Sequence, residues 1–319
     1  MSRVIRHVTY RSSDADKVQA LQFWDSDYTL ATQSRLTSPW DDEIYGLAAA
    51  FENEQCIGTA SYTISPHRLG ILSQVYTNPD FRGQGIARKS LSAALDAFQQ
   101  QQTRAVYLAS AKDWVQRIYQ GMGFEFVGAM GARHAFKLTL DDSGRDENLF
   151  RAGQQVSLRT WAAHDQADLS ALFNARHDGL VKHYQLGCYL GSHFEGEFYQ
   201  LRRYGEERPG FQALVLEGEE TLLGIATVVP SSRRHAQHRG VVDLLLHPNY
   251  AGHAADLLAT LHEKTDLRSL NAYAGVHEPE RQSMFETAGY RRAGKLTRHL
   301  RIAAQDYDLE MFERQQKNT

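Results

Sequence analysis

The stretch DLLLHPNYAGHAADLL at residues 243–258 aligns without a gap with QVYTNPDFRGQGIARK at residues 74–89. Each joins an apolar run to a Pro, an aromatic and a Gly at matching places. Further along, MFETAGYRRAG (284–294) echoes IYQGMGFEFVG (118–128). Two echoes in one order, similarly separated, imply duplication, so one fold must serve this chain twice. Two copies make a tandem pair and not a solenoid. A length of 319 residues suits two domains of common size. The polar run DDSGRDENLFRAGQ (141–154) is the best linker, which gives expected domains at 1–142 and 153–319.

Periodicity orders the first copy. A strand at 4–10 precedes a helix after Ser13 and Asp14, with Val18, Leu21, Phe23 and Trp24 as its apolar positions. SRLTSPWDDE (34–43) reads as loop. Residues 44–51 and 56–64 form a hairpin around Glu52-Asn53-Glu54. A strand at 71–77 leads into an amphipathic helix at 85–98, with Ile86, Leu91, Leu95 and Phe98 on one side. A buried strand at 105–109, a helix at 114–122 stopped by Gly123, and strands at 126–127 and 136–140 complete the copy. The order then restarts with a strand near 156–158, helices through about 208, and strands near 211–217 and 221–229. The fold class expected is α/β (α+β): in each copy a mixed, mostly antiparallel twisted sheet flanked by helices.

Charge excludes one class of partner. The net charge is −3, and Arg202-Arg203 and Arg233-Arg234 are isolated pairs. Nucleic-acid binding needs clustered Lys and Arg, so none is expected. The two cysteines, Cys56 and Cys188, lie in separate halves without metal-ligand spacing, so no metal is expected. None of the fourteen histidines forms a recognisable pair, and His7, His67 and His134 read as structural. The N-terminus lacks a signal-peptide core, and no apolar run reaches the roughly 20 residues of a membrane helix. These features point to a cytoplasmic protein with no membrane partner.

The stretch YTNPDFRGQGIARKSL (76–91) carries the chemistry. A helix start exposes unpaired backbone N–H groups and a partial positive charge. Such groups hold phosphate, and glycine lets a pyrophosphate approach the backbone. Gly83 and Gly85, with Arg82, Arg88 and Lys89 nearby, meet that demand, although glycines also simply make turns. A GK[ST] ending is absent, and position 88 is Arg where GxGxxG needs a third glycine.

The surrounding pattern resembles the acyl-CoA motif of the GNAT acetyltransferase superfamily, Q/R-x-x-G-x-G/A. Here it reads Arg82-Gly83-Gln84-Gly85-Ile86-Ala87. SQVYTNP resembles the family's splayed strand. SAKDWVQRIYQGMGF resembles its second motif, with Tyr119 and Gly123-Phe124 at the end of a helix. The resemblance covers residues 3–140 and is weak over 153–302.

It implies acetyl-CoA as co-substrate, with the N–H groups of Gly83 to Arg88 holding its pyrophosphate. The splayed strand Val75-Tyr76-Thr77 would line the pantetheine arm, and the backbone of Val75 and Thr77 would pair with it. Ser110 would lie close to that arm. Tyr119 would protonate the leaving thiolate, and a backbone N–H at Val75 or a neighbour would serve the carbonyl oxygen. Tyr119 also reads as a core aromatic. No general base is legible: the splayed strand offers Gln74 and Tyr76, and the loop Asp41-Asp42-Glu43 reads either as solvated or as an attractor of ammonium.

The second copy differs. Ala251 replaces Arg82, Ala254 replaces Gly85, Asp256 replaces Ala87 and Phe285 replaces Tyr119. A carboxylate repels phosphate and a phenyl ring cannot donate a proton, so this copy is expected to lack the site. Residues 174–208, with His183, Tyr184, Tyr189, Phe194, Phe198 and Tyr199, read as core or interdomain packing or as a substrate wall.

The function expected is N-acetyl transfer to the primary amine of a small molecule by a monomer or homodimer. Open alternatives are a non-catalytic acyl-CoA sensor, a protein amine as acceptor, or a longer acyl thioester.

Overall fold

The computed structural model describes residues 3–24, 26–130, 133–175, 179–189, 194, 196–302 and 304–316. Its first part is ordered as β1 (Arg3–Val8), α1 (Asp14–Leu21), α2 (Ser26–Thr37), β2 (Ile44–Glu52), β3 (Gln55–Ile64), β4 (Leu69–Thr77), α3 (Ile86–Gln100), β5 (Ala105–Ser110), α4 (Asp113–Gln120), β6 (Glu125–Met130), β7 (Arg133–Thr139) and α5 (Asp146–Leu149). The second part runs β8 (Ser157–Thr160), α6 (Gln166–Asn174), β9 (Val181–His183), β10 (Cys188–Tyr189), α7 (Glu197–Glu207), β11 (Gln212–Glu217), β12 (Leu222–Pro230), β13 (Arg239–Leu246), α8 (Ala254–Glu263), β14 (Ser269–Gly275), α9 (Pro279–Thr287), β15 (Arg291–Ile302) and β16 (Gln305–Gln315).

Two seven-stranded sheets result, in the orders β1-β2-β3-β4-β5-β7-β6 and β8-β11-β12-β13-β14-β16-β15. The two orders are the same topology. Each sheet is antiparallel except for one pair, β4 with β5 and β13 with β14. Both parallel pairs are short, three residues each, and the strands then part.

The sequence echoes are structural. Asn78 N–H donates to Ile57 O at 2.9 Å, and His247 N–H donates to Leu223 O at 2.8 Å. Phe124 N–H bonds Tyr119 O, as Tyr290 N–H bonds Phe285 O. Gly123 and Gly289 close their helices with φ of 92° and 84°, a left-handed turn that favours glycine.

Alternation along β4 and β5 divides their side chains between two cores. Leu72, Val106 and Leu108 join Leu91 and Phe98 of α3 and Tyr119 of α4. Leu69, Ile71, Ala105 and Tyr107 face the other way, into a core that continues through α6 to the second sheet. Helix α6 is buried from Gln166 to Phe173 because it packs on β4, β5 and β12 at once. Its one buried carboxylate, Asp168, meets His67 Nδ1 at 2.9 Å and accepts the Thr221 hydroxyl at 3.0 Å. Burying an unpaired charge would be costly, so these partners make the helix possible there.

Five sequence expectations need correction. The loop expected at 34–43 begins only after Thr37, because α2 runs through its first residues. Glu43 is neither solvated nor open to a ligand: it is 5% exposed and bound by Arg35, Nε to Oε1 at 2.7 Å. The polar segment 141–154 contains α5 and buries Leu149, Phe150 and Gln154, with Phe150 stacked on His247 at 4.5 Å. The helices expected through 208 are interrupted by the two-stranded pair β9 and β10. Val18, read as an inward position, is 65% exposed. Among the described residues no helix is long and apolar enough to cross a membrane.

Candidate functional site

The parting of β4 from β5 opens a cavity of about 840 Å³. It lies beyond the carboxyl ends of the parallel pair β4–β5, where ligands of open α/β sheets tend to bind. Its floor is β4, one wall is the start of α3, and the other is the turn into α4 with Tyr119 behind it.

The start of α3 has the backbone its glycines permit. Gly83 and Gly85 have φ of 74° and 75°. Side chains strain there, and a Cβ added to either glycine would meet no atom within 4 Å. The space above both is open. Gly85 is the helix cap and offers no side-chain partner to the first N–H groups. A donor array is thus left facing the cavity, the arrangement that suits phosphate. Ile86 beneath packs where Gly58 leaves room, since a Cβ there would stand 2.7 Å from Ile86 Cγ2.

Strand β4 is bent by a bulge. Tyr76 pairs with Thr59 and Ser73 pairs with Ser61, so Gln74 and Val75 together face Ala60. Gln74 has φ of 50°, rare for a residue with a side chain. A bulge turns the strand and frees backbone groups from the ladder.

Of the residues named from sequence, Val75, Tyr76, Thr77, Arg82, Gly83, Gly85, Ile86, Ala87, Ser110 and Tyr119 all line this cavity. Gln84 and Arg88 do not. The Gln84 side chain turns away, accepting from Arg3 at 2.6 Å. Ser110 Oγ accepts the Lys112 N–H at 3.3 Å, within a turn. Tyr119 is 5% exposed and packs on Phe124 and Phe136, with ring centroids 5.8 and 6.4 Å away. It is a core aromatic and a cavity residue at once.

Sequence reading missed Trp24 and Lys112 in the lining, and named Gln74 only as a residue of the splayed strand. Lys112 has a readable signal: it follows Ser110 in the turn before α4, as Arg82 precedes α3. The two cations come from the two turns that flank the parting, a placement that attracts an anion. Trp24 carries no such signal, because the chain beyond the end of α1 sets it there.

The second sheet is different at every one of these points. Pairing of β12 with β13 is unbroken from Gly224–Leu246 to Pro230–Gly240, so no bulge forms. Between the matching anchor pairs β4 holds one residue more than β13. Residues Pro248–His253 are 3-10 helical and run straight into α8, with Ala254 at φ of −57°. No left-handed cradle exists there. The parting of β13 from β14 is filled by the chain itself: β9 packs on both strands. Asp243 accepts the N–H groups of Tyr184 and Gln185, at 3.0 Å each. Tyr184 stacks on Tyr273 at 4.2 Å, and Arg281 donates to Val181 O.

Residues 15–124 match the family described as the acetyltransferase (GNAT) family. The GNAT match thus holds for these residues, about a third of the chain. That match includes β4, α3, β5 and α4, the elements that bound the cavity. No curated protein matches the chain. Among solved structures, a GNAT-family acetyltransferase from Streptococcus pneumoniae is 16% identical, covering 50% of this chain and 99% of its own, with a TM-score of 0.43. A ribosomal-protein-alanine N-acetyltransferase from Brucella melitensis is 17% identical over 50% of this chain and 99% of its own, TM-score 0.42. Spermidine N-acetyltransferase from Vibrio cholerae, in complex with CoA and spermine, is 16% identical over 51% of this chain and 96% of its own, TM-score 0.41. These likenesses are too distant to carry a substrate to this chain.

Proposed function

We propose that the chain is an acetyl-CoA-dependent N-acetyltransferase whose acceptor is the primary amine of a small molecule. The reading rests most on one observation: two left-handed glycines, Gly83 and Gly85, open onto the same cavity that Tyr119 lines. N–H groups from Gly83 to Arg88 hold the pyrophosphate, with Arg82 adding charge. The backbone of Val75 and Thr77, beside Tyr76, takes the pantetheine arm as an added strand, and Ser110 flanks it.

In the transfer, the neutral amine nitrogen bonds to the acetyl carbon. A backbone N–H of the bulge, at Val75 or its neighbour, stabilises the negative carbonyl oxygen. The carbon–sulfur bond breaks, and the Tyr119 hydroxyl gives its proton to the sulfur. The proton shed by the amine goes to water, and the phenol regains one from solvent. The products are an N-acetyl amine and the free thiol.

The proposed division is a catalytic domain at 1–142 and a C-terminal copy at 153–319. The C-terminal copy keeps the topology and carries no acyl-CoA site.

The test is an amine library supplied with acetyl-CoA and the full chain, followed by thiol release. Amine-dependent thiol release supports the reading. Tight acetyl-CoA binding with no turnover across the library would instead favour a sensor.

A further inference from the structure

The bulge that opens the cavity is pinned both from its own sheet and from helix α2. Gln74 is 7% exposed, and both ends of its side-chain amide are engaged. Nε2 donates to Thr32 Oγ1 of α2, and Oε1 accepts the Tyr45 hydroxyl of β2 at 2.6 Å. Its carbonyl accepts the Thr59 hydroxyl at 2.9 Å. Three partners therefore fix one residue in a backbone conformation that side chains seldom adopt. The topology itself does not demand this. The second sheet has the same strand order, and β13 runs through the matching stretch without a bulge, with Asp243 facing Thr227 where Ser73 faces Ser61.

Helix α2 is in turn held by the C-terminal half. Arg35 lies three residues after Thr32, hence on the same side of the helix. Its guanidinium is 3% exposed and binds both oxygens of Glu43, at 2.7 and 3.2 Å. It also donates to Gln166 Oε1 at the start of α6 and to the Tyr199 hydroxyl of α7 at 3.1 Å. The Tyr45 ring lies 5.0 Å from the same guanidinium. One end of α2 thus grips the C-terminal half, and one turn earlier it grips the bulge.

We propose that Gln74 is a positioning residue for the thioester-binding strand, and that α2 is the strut by which the C-terminal half holds it. The inactive copy then has a role in the reaction: through Gln166, Tyr199 and Arg35 it keeps the bulge in the shape that presents its N–H to the acyl carbonyl. The inference rests on the cleft being the acetyl-CoA site, but its structural part does not.

The test is hydrogen exchange of the full chain, read by mass spectrometry over residues 72–78, with residues 240–246 as the internal control. Gln74→Met removes both amide bonds at similar length. Gln166→Met with Tyr199→Phe removes the grip of the C-terminal half and keeps its packing. Both variants are expected to speed exchange over 72–78 by at least about fivefold and leave 240–246 unchanged. Both should weaken acetyl-CoA binding more than CoA binding, because only acetyl-CoA offers the carbonyl; a general loss of structure would weaken both alike. If Gln74→Met fails to fold, Tyr45→Phe removes one of the two bonds and is read the same way. Parental exchange over 72–78 in the Gln74 variant overturns the pin. Faster exchange there with parental exchange in the Gln166/Tyr199 variant overturns the strut. A parent chain that binds neither CoA nor acetyl-CoA refutes the proposed function, while the exchange result still decides the strut.

Discussion

Asp243 accepts the backbone N–H of Tyr184 at 3.0 Å, and so the second sheet closes its own cleft. The carboxylate also takes the Gln185 N–H and stands 3.5 Å from His183 and 3.7 Å from Arg281. In the first sheet Gln74, next to the residue that holds the register of Asp243, opens the cleft. The same stretch of strand has thus become a pin in one copy and a seal in the other.

Asp243→Ala should therefore act on stability alone. Losing a buried charged partner costs about 3–5 kcal/mol, since Arg281 and two N–H groups are left without it. Denaturant unfolding should show that loss, and acetyl-CoA affinity should stay within twofold of the parent. A large fall in affinity at parental stability would contradict the seal.

Tyr119→Phe should lower kcat by about 10²–10⁴, the usual cost of losing a positioned acid. The ring keeps its packing on Phe124 and Phe136, so acetyl-CoA binding should be nearly unchanged. The comparison is kcat at saturating acetyl-CoA, once an acceptor is known. A kcat within twofold, with chemistry rate-limiting, would reduce Tyr119 to packing.

The His67–Asp168 contact between the halves should make stability pH-dependent. Burial opposes the His67 charge, but the bond to Asp168 and the charge of Glu217 outweigh it and raise the pKa above 6.5. Burial opposes charge on Asp168 too, yet His67, Ser65 and Thr221 hold its pKa below 3.8. The raised histidine contributes fully below pH 6.5 and loses its share as pH climbs through its folded pKa. The lowered carboxyl contributes fully above pH 3.8 and loses its share as pH falls through its own. The Tm gap between parent and His67→Gln should be widest between these limits and narrow above pH 6.5. A gap that widens toward pH 8 would contradict the pairing.

The duplication, the order of elements along the first copy and the glycine loop were legible because they depend on local pattern: apolar alternation, a Pro, two glycines and a helix stop. What the sequence hid depends on distant residues meeting. Arg35 and Glu43 looked like solvated loop, and only the arrival of Gln166 and Tyr199 makes them interior. Helix α6 carries Gln166, Ser170 and Asn174 along one side, yet Gln166 to Phe173 are all buried because sheets cover it on both sides. The segment 181–189 gave no sign that it would occupy a cleft. Gln74 was visible as a residue of the splayed strand, but its bulge comes from an extra residue at 74–75 relative to β13, which an ungapped echo cannot register.

The most direct test of the account is calorimetric titration of acetyl-CoA into the full chain, the Gly85→Glu variant and the Gly252→Glu variant. A side chain at Gly85 would fill the open space above the cradle and set a like charge against phosphate. Losing two or three charge-assisted bonds costs about 3–6 kcal/mol, at least a hundredfold in affinity. Gly252 is exposed and borders no cradle. The account predicts one site per chain, lost in Gly85→Glu and parental in Gly252→Glu. Two equivalent sites, or one that survives Gly85→Glu and disappears in Gly252→Glu, would contradict it.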